Sequence, residues 1–548
     1  MAEIPSTTNS VQSEAASTGQ AKDLQQQAVA RLAAARTWKS YIELDVKECY
    51  FLAAPNRQRQ ISSMTSPSQA RMLDAPELNT DETFIIVEDF VTAVVGAFMP
   101  EAEPWCERGP GMDLPGGAEG PVWRKVRDQI KKDDQAIFAA MKASNLYPEI
   151  PKAFNPDLAI GTAAVWVERP HPASAITVSA IPFRELEIDL GPYGEVDYRA
   201  AVRFTRNHYV RELVGEEVWK KVPPEVKKKH EDKPSDRTQV IWAFWRDWED
   251  KSDEVWQHVI MIGNEVIHDA MCVGEGSCPL LVMRFGATAD WPHGVGPLIK
   301  GLPSFRQIDE LEYMRTVHAA RSIMPPITYP DDSFAAVEQG VEEDKAYPIR
   351  PGSEGAVKPI FTVPPPEVAN YAYQEKIKKL RKLFFVDYPE QTGDTPPTLG
   401  QWLDEMARAQ RRVGTPGLPF WREGPAQIFL RFKYLLEAAG SIKPIQVDGR
   451  AVALLAYNPA QAAAEQQEVG QAVKAGQIIS GFFPEGFKIH IDDVATSKAL
   501  LEKMRVTLFK WRDPKDVQNA VDQISKIVGG RERPQAPDTP PGPASVGP

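Results

Sequence analysis

The stretch CPLLVMRFGATADWPHGVGPLIKGLPSFRQIDELEYMRTVHAARSIMPPITYP, Cys278 to Pro330, decides the fold. It begins with a short apolar run, Leu280 to Phe285, which reads as a strand. A loop follows, closed by Gly294-Val295-Gly296. The period then changes. Leu298, Leu302, Phe305, Ile308 and Leu311 recur at spacings of 4, 3, 3 and 3, one stripe of a helix, with Pro303 suited to a first helical turn. The helix ends at Met324-Pro325-Pro326, because a residue before proline is pushed out of the helical region.

Upstream, helices come first and strands second. Leu24, Ala28, Leu32 and Ala35 predict a helix over Ala21 to Ala54, after a Ser/Thr/Gln-rich start (1–20) expected to be disordered. Phe84, Val87, Phe90, Val91, Val94 and Val95 stripe a second helix over Asp81 to Phe98. The Gly/Pro-rich loop Gly109 to Pro121 leads to a third, Val122 to Ser144, carrying Val126, Ile130, Ile137, Phe138 and Met141. Ala163 to Glu168, Ile176 to Ile188, Tyr198 to Thr205, Gln239 to Trp248 and Trp256 to His268 are β-branched and aromatic, and DLGPYGEVD is a hairpin turn. Strands in a run after helices predict an α+β fold rather than a βαβ nucleotide fold.

Downstream, short strands are expected at Ile327 to Tyr329, Tyr347 to Arg350 and Val357 to Phe361. After Pro364-Pro365-Pro366 a helix runs from Glu367 to Tyr388, with Tyr373, Ile377, Leu380 and Phe384 on one side and Lys376, Lys378, Lys379, Arg381 and Lys382 on the other. PEQTGDTPP breaks the chain, and Thr398 with Gln401 forms a capping box for a third long helix. That helix is interrupted at Gly414 to Pro419 and resumes through Ile428, Phe432, Leu435, Leu436 and Ala439. Further helices are expected at Pro459 to Gln477 and Thr496 to Lys510, and the proline-rich end (531–548) is read as a disordered tail.

The chain has 548 residues, with 63 Lys+Arg against 75 Asp+Glu, so its net charge of −12 disfavours general attraction to DNA while leaving room for a local basic strip. The 48 prolines argue against one uninterrupted coiled coil. Cys49, Cys106, Cys272 and Cys278 form no CxxC pair and are expected to be thiols rather than a disulfide framework. Neither a signal-peptide core nor a membrane-length apolar run is present, so the expectation is a soluble protein made inside the cell.

A search for chemistry returns little. The sequence contains no GxxxxGK[ST], GxSxG, HExxH or post-strand GxGxxG. His208, His258 and His268 fall in strand-like stretches, where a structural histidine outweighs a ligand. Asp189 and Asp197 are better read as turn residues than as a carboxylate pair, and Asp492 and Asp493 as a helix cap. Trp242, Trp245, Trp248 and Trp256 fit sheet packing or a subunit interface better than base stacking. The basic run KIKKLRK is the sharpest charge feature, and a solvated helix face is its plainest explanation. No catalytic residue, cofactor or metal is expected.

The order of elements resembles the portal, or head-to-tail connector, family of short-tailed bacteriophages. Cys278 to Pro330 carries the resemblance, as do GTAAVWVERP (Gly161 to Pro170), FRELEIDLGPYGEVDYRAAVRFT (Phe183 to Thr205) and QTGDTPPTLGQWLDEMARAQRR (Gln391 to Arg412). Gln401 stands where the family commonly has an acid, and the Gly414 to Pro419 break interrupts a helix that is often continuous.

The resemblance implies a wing (21–296), stem helices (297–323 and 367–388), a clip (324–366), a tunnel loop (389–397), a tunnel or wing helix (398–455) and a helical crown (456–530), built into a twelve-subunit ring at one capsid vertex. It implies a conduit for double-stranded DNA during packaging and ejection. Implied partners are the major capsid, scaffolding and internal core proteins, the terminase large subunit and tail adaptors, with no membrane. Lys376, Lys378, Lys379, Arg381, Lys382, Arg408, Arg411 and Arg412 become candidates for the channel wall, and Glu390, Gln391, Thr392, Gly393, Asp394 and Thr395 for the tunnel loop. The competing readings are a multidomain hydrolase with an unrecognised acidic site, or another phage head-tail structural protein.

Overall fold

The computed structural model describes residues 8–55, 78–113, 121–171, 174–248, 254–323, 327–328, 358–359, 367–386, 417–445, 447, 452–456, 469–470, 472–476 and 496–497. The chain divides into two units, Met1–Gln461 and Ala462–Pro548. In the second, only short helical pieces at 469–470, 472–476 and 496–497 are described.

The first unit begins with helices α1 (Thr8–Ala53) and α2 (Glu82–Phe98). Strand β1 (Cys106–Pro110) and helices α3 (Pro121–Ala143), α4 (Leu146–Phe154) and α5 (Asp157–Ile160) follow. Next come strands β2 (Thr162–Glu168), β3 (Thr177–Ile181), β4 (Leu186–Leu190) and β5 (Val196–Arg206). Three short helices, α6 (Asn207–Val214), α7 (Glu216–Lys221) and α8 (Pro224–Asp232), separate these from β6 (Arg237–Asp247), β7 (Val255–Ile262), β8 (Glu265–Val273) and β9 (Leu280–Arg284). The unit ends with α9 (Pro297–Ile323), β10 (Ile327–Thr328), β11 (Lys358–Pro359), α10 (Glu367–Leu383), α11 (Pro425–Ala438) and β12 (Val452–Ala456).

Two antiparallel sheets form the β-rich part, one ordered β4-β5-β6-β7-β8 and the other β3-β2-β9. The larger is covered on both faces. Val240, Trp242 and Phe244 of β6 pack with Ala164, Leu280 and Val282 of the smaller sheet. Ile241, Ala243 and Trp245 pack with Ala28, Leu32 and Ala35 of α1. A strand buried on both faces reads as a continuous apolar run, as β6 does. The largest core joins the end of α1 to α2, α3, α4, β2, β9, α9, α10 and α11.

Several expectations are corrected. Helix α1 starts at Thr8, not near Ala21, because alanine, glutamine and serine extend a helix in the absence of a proline. The stretch read as one strand from Trp256 to His268 is two, turning at Gly263 (φ 65°) and Asn264. The stretch Ile176 to Ile188 is likewise two strands, separated by a 3-10 turn over Phe183–Glu185. Val126 is partly exposed, off the apolar stripe of α3. Pro303 lies inside α9 rather than in its first turn, since Pro297 already opens the helix. Strand β12 pairs with β1 in full register, from Cys106↔Ala456 to Pro110↔Val452, which the sequence does not announce.

Candidate functional site

Helices α9 and α10 form an antiparallel pair, as successive contacts along them show. Gly301 near the start of α9 lies against Leu380 and Leu383 near the end of α10, so closely that an added Cβ would sit 3.1 Å from Leu380 Cδ2. The Phe305 and Phe384 rings meet edge to face at 5.7 Å. Farther out, the Arg315 guanidinium lies 4.6 Å from the Tyr373 ring centre, a cation–π contact of roughly 0.5–2 kcal/mol. Between the two helices, Ile327↔Pro359 and Thr328↔Lys358 pair antiparallel.

Only the inner half of the pair is buried. Leu298, Leu302, Phe305 and Ile308 join the main core with Tyr373, Ile377, Leu380 and Phe384. Beyond them Tyr313, Met314 and Tyr371 are exposed, so the pair leaves the core and projects. Its root is tied down by polar contacts. Asp309 accepts hydrogen bonds from the backbone N–H (2.7 Å) and side chain (3.1 Å) of Asn79, and Arg306 donates two to Glu48 of α1.

The loop before α9 is held more tightly still. Gly161 has φ 141°, and a Cβ there would lie 2.1 Å from the Gly294 carbonyl oxygen. Gly296 N–H donates to the Ile160 carbonyl (2.7 Å) and Phe285 N–H to the Gly161 carbonyl (2.9 Å), while Gly294 N–H donates to the Thr162 hydroxyl (3.0 Å). Backbone therefore lies on backbone where the sheet hands over to the helix. Arg284 clamps the same region, donating to Glu423 through Nε (2.9 Å) and to the Pro292 and Gly194 carbonyls. The Gly294-Val295-Gly296 turn was legible in the sequence; Gly161 and the Arg284–Glu423 pair were not, because their partners lie more than a hundred residues away.

Of the five α10 cations, Arg381 is turned towards α2 and the others lie off the buried stripe of Tyr373, Ile377, Leu380 and Phe384. Lys378, Lys379 and Lys382 are exposed, and Lys376 and Arg381 half-buried. Lys379 pairs with Glu375 at 2.9 Å, and its hydrogen bond holds the Glu375 carboxyl below the ordinary range. Arg381 lies 3.9 Å from Glu82 of α2. Among the described residues Lys376, Lys378 and Lys382 make no ion pair. Arg381 and Lys382 also favour the helix electrically, lying in its last turn. That benefit does not extend to Lys376 and Lys378. Arg408, Arg411 and Arg412, the loop residues Glu390, Gln391, Thr392, Gly393, Asp394 and Thr395, and the Thr398 capping box lie outside the described residues.

The remaining candidates resolve into packing. Trp242, Trp245 and Trp256 are buried in the large sheet, with Arg31 near the Trp245 ring and Arg199 4.4 Å from that of Trp256. Trp248 donates to Asp197 Oδ2 at 2.9 Å, so Asp197 anchors a strand end, and Asp189 accepts from the N–H of Leu190. His258 stacks on Phe244 at 4.4 Å, and burial pulls its pKa to about 4. All four cysteines are free thiols, and burial pushes Cys278 up to about 11. Among the described residues no helix is long and apolar enough to cross a membrane.

A family model described as bacteriophage head to tail connecting protein matches residues 25–400. The chain belongs to this family. The connector is therefore a structural component of the virion and not an enzyme, which removes the hydrolase reading. Two solved structures share a distant likeness. The neck of an empty gene transfer agent particle, computed with six-fold symmetry, gives a TM-score of 0.36 at 12% identity over 77% of this chain and 90% of the other. The virion of a native gene transfer agent particle gives 0.33 at 13% identity over 77% and 96%. A search of curated proteins finds no match.

Proposed function

We propose that the connector assembles as a twelve-subunit ring at one capsid vertex, the conduit through which double-stranded DNA is packaged and ejected. The projecting α9–α10 pair, on which Lys376, Lys378 and Lys382 make no ion pair among the described residues, is the observation that carries this reading. A closed ring of head-to-tail contacts repeats each side chain around the axis, so one lysine per chain becomes a ring of positive charge. Each phosphate neutralised adds affinity. A moving duplex is therefore served best by sparse basic rings in a chain whose net charge is −12. Arg408, Arg411, Arg412 and the loop over residues 390–395 are proposed for the inner wall beyond this pair. Residues 324–366 would meet the terminase large subunit during packaging and tail adaptors afterwards. The ring's outer surface would meet the major capsid and scaffolding proteins, and residues 456–530 the internal core proteins.

Particle imaging of the purified connector tests the proposal. Annular particles with an open axial hole are expected, and a preparation that is monomeric both alone and with scaffolding protein would overturn it.

A further inference from the structure

Past α11 the chain turns at Gly440 (φ 70°) and leads to β12, and two carboxylates hold this connecting strap. Glu437, in the last turn of α11, accepts the Ile445 N–H at 3.1 Å. Glu275, in the loop between β8 and β9, accepts the Val447 N–H at 3.1 Å. Both carboxylates face one buried cation. Lys433 Nζ lies 3.5 Å from Glu275 and 3.6 Å from Glu437, with 3% of its side chain exposed. The loop that carries Glu275 is fixed on α11. A Cβ on Gly276 would sit 2.5 Å from the Leu430 carbonyl oxygen, and Arg431 donates to the Gly276 and Ser277 carbonyls. The strap is the looser side, with Ser441, Lys443 and Pro444 exposed while Ile442 and Val447 are buried.

We propose that Glu275 is a proton-operated latch on this strap, holding it more tightly when the carboxyl is protonated than when it is ionised. Two carboxylates around one ammonium leave an excess negative charge where burial makes it unfavourable. One proton removes that excess, and the Val447 contact persists because a protonated carboxyl still accepts from an N–H. The surrounding charges do not cancel it. Glu254, just before β7, adds further negative charge and is itself paired with Arg246 of β6 at 3.1 Å. Arg431, the neighbouring α11 cation, points to backbone carbonyls, and Lys443 of the strap is exposed. Burial, against the pull of Lys433 and the Val447 N–H, raises the Glu275 pKa from its ordinary 4.5 to about 6. With the strap lifted, the carboxyl meets water and returns towards its ordinary value. Protons therefore favour the closed strap, and this stabilisation is whole below about pH 4.5 and lost as pH rises through about 6. This inference stands apart from the ring proposal.

Amide hydrogen exchange on the full chain, corrected for the intrinsic pH dependence of exchange, tests it. Protection of the segment holding Ile445 and Val447 should rise roughly five- to tenfold from about pH 7.5 to about pH 5. Acid weakens the fold as a whole through buried His258, held near 4, so general destabilisation moves protection the other way. Glu275→Gln, neutral at every pH, should flatten the rise. Glu437→Gln, which leaves one carboxylate to one cation, should shift it to lower pH. Equal wild-type protection at the two pH values, an undiminished rise in Glu275→Gln, or an unshifted one in Glu437→Gln would overturn the proposal.

Discussion

His293 sits between β9 and α9 with no exposed surface, and neither ring nitrogen has a hydrogen-bond partner among the described residues. Phe183 lies 5.0 Å from its ring, and Lys39 and Arg284 are the charged groups acting on it. Burial first, and those two cations second, pull its pKa to about 3. The sign follows directly. In the unfolded chain the imidazole takes up a proton below its ordinary value of about 6.5, while in the folded chain it stays neutral. Stability is therefore whole above about pH 6.5 and is lost as pH falls towards 3. His293→Gln should lose less stability between pH 7 and pH 4, read as a shallower fall of the urea midpoint. His258, held near 4, keeps part of the slope in that variant. An identical slope in mutant and wild type would show that His293 takes no part. Gly161 is constrained sterically rather than by charge. Its φ of 141° and the 2.1 Å approach to the Gly294 carbonyl leave no room for a methyl. Gly161→Ala should cost about 3 kcal/mol or more in denaturant unfolding, and a loss below about 1 kcal/mol would mean the backbones separate freely.

Helix α11 shows how one element can be legible in outline and not in its fastening. Ile428, Phe432 and Leu436 announce its apolar face, and all three are buried. Arg431, on the same helix, is buried and donates to the Val167 (3.0 Å), Gly276 (3.2 Å) and Ser277 (2.6 Å) carbonyls. Nothing near residue 431 in the sequence signals partners so distant. Arg431→Met keeps much of the volume but leaves three carbonyls without their donor, at about 3–5 kcal/mol, measurable as a lower urea midpoint. A loss within about 0.5 kcal/mol would mean water replaces the guanidinium. The same reasoning explains the other elements. The α9 and α10 stripes have one buried face, so the helical period survives in the sequence. β7 and β8 run together because only Gly263-Asn264 marks their turn. Helices α6 to α8 escape notice because each is only six to nine residues long, too short to show a repeated stripe, and the segment is held by Asn207 donating to the Lys229 and Lys233 carbonyls. On the candidate site, sequence grouped all five α10 cations opposite Tyr373, Ile377, Leu380 and Phe384, but Arg381 turns to Glu82 of α2. It could not divide them into paired and unpaired, since Glu82 lies on another helix.

At the scale of the whole molecule, α10 separates two roles that one sequence run combines. Its buried side holds the α9–α10 pair to the core, and its outer flank carries charge that the fold does not need. Lys378 and Lys382 are exposed and form no ion pair among the described residues, so replacing them should change stability by no more than about 0.5 kcal/mol. Lys378→Glu with Lys382→Glu turns two positive charges per subunit into two negative ones, and a ring repeats that change around its axis. If these side chains line the conduit, annular particles should form as in the wild type while packaged DNA per particle falls several-fold. The deficit should narrow as ionic strength rises, because salt shortens the reach of the introduced repulsion to about 3 Å at 1 M. Loss of annuli in the double variant would instead place the lysines at a subunit contact. Normal annuli with wild-type packaging would put them on the outside of the ring, leaving the wall to residues such as Arg408, Arg411 and Arg412.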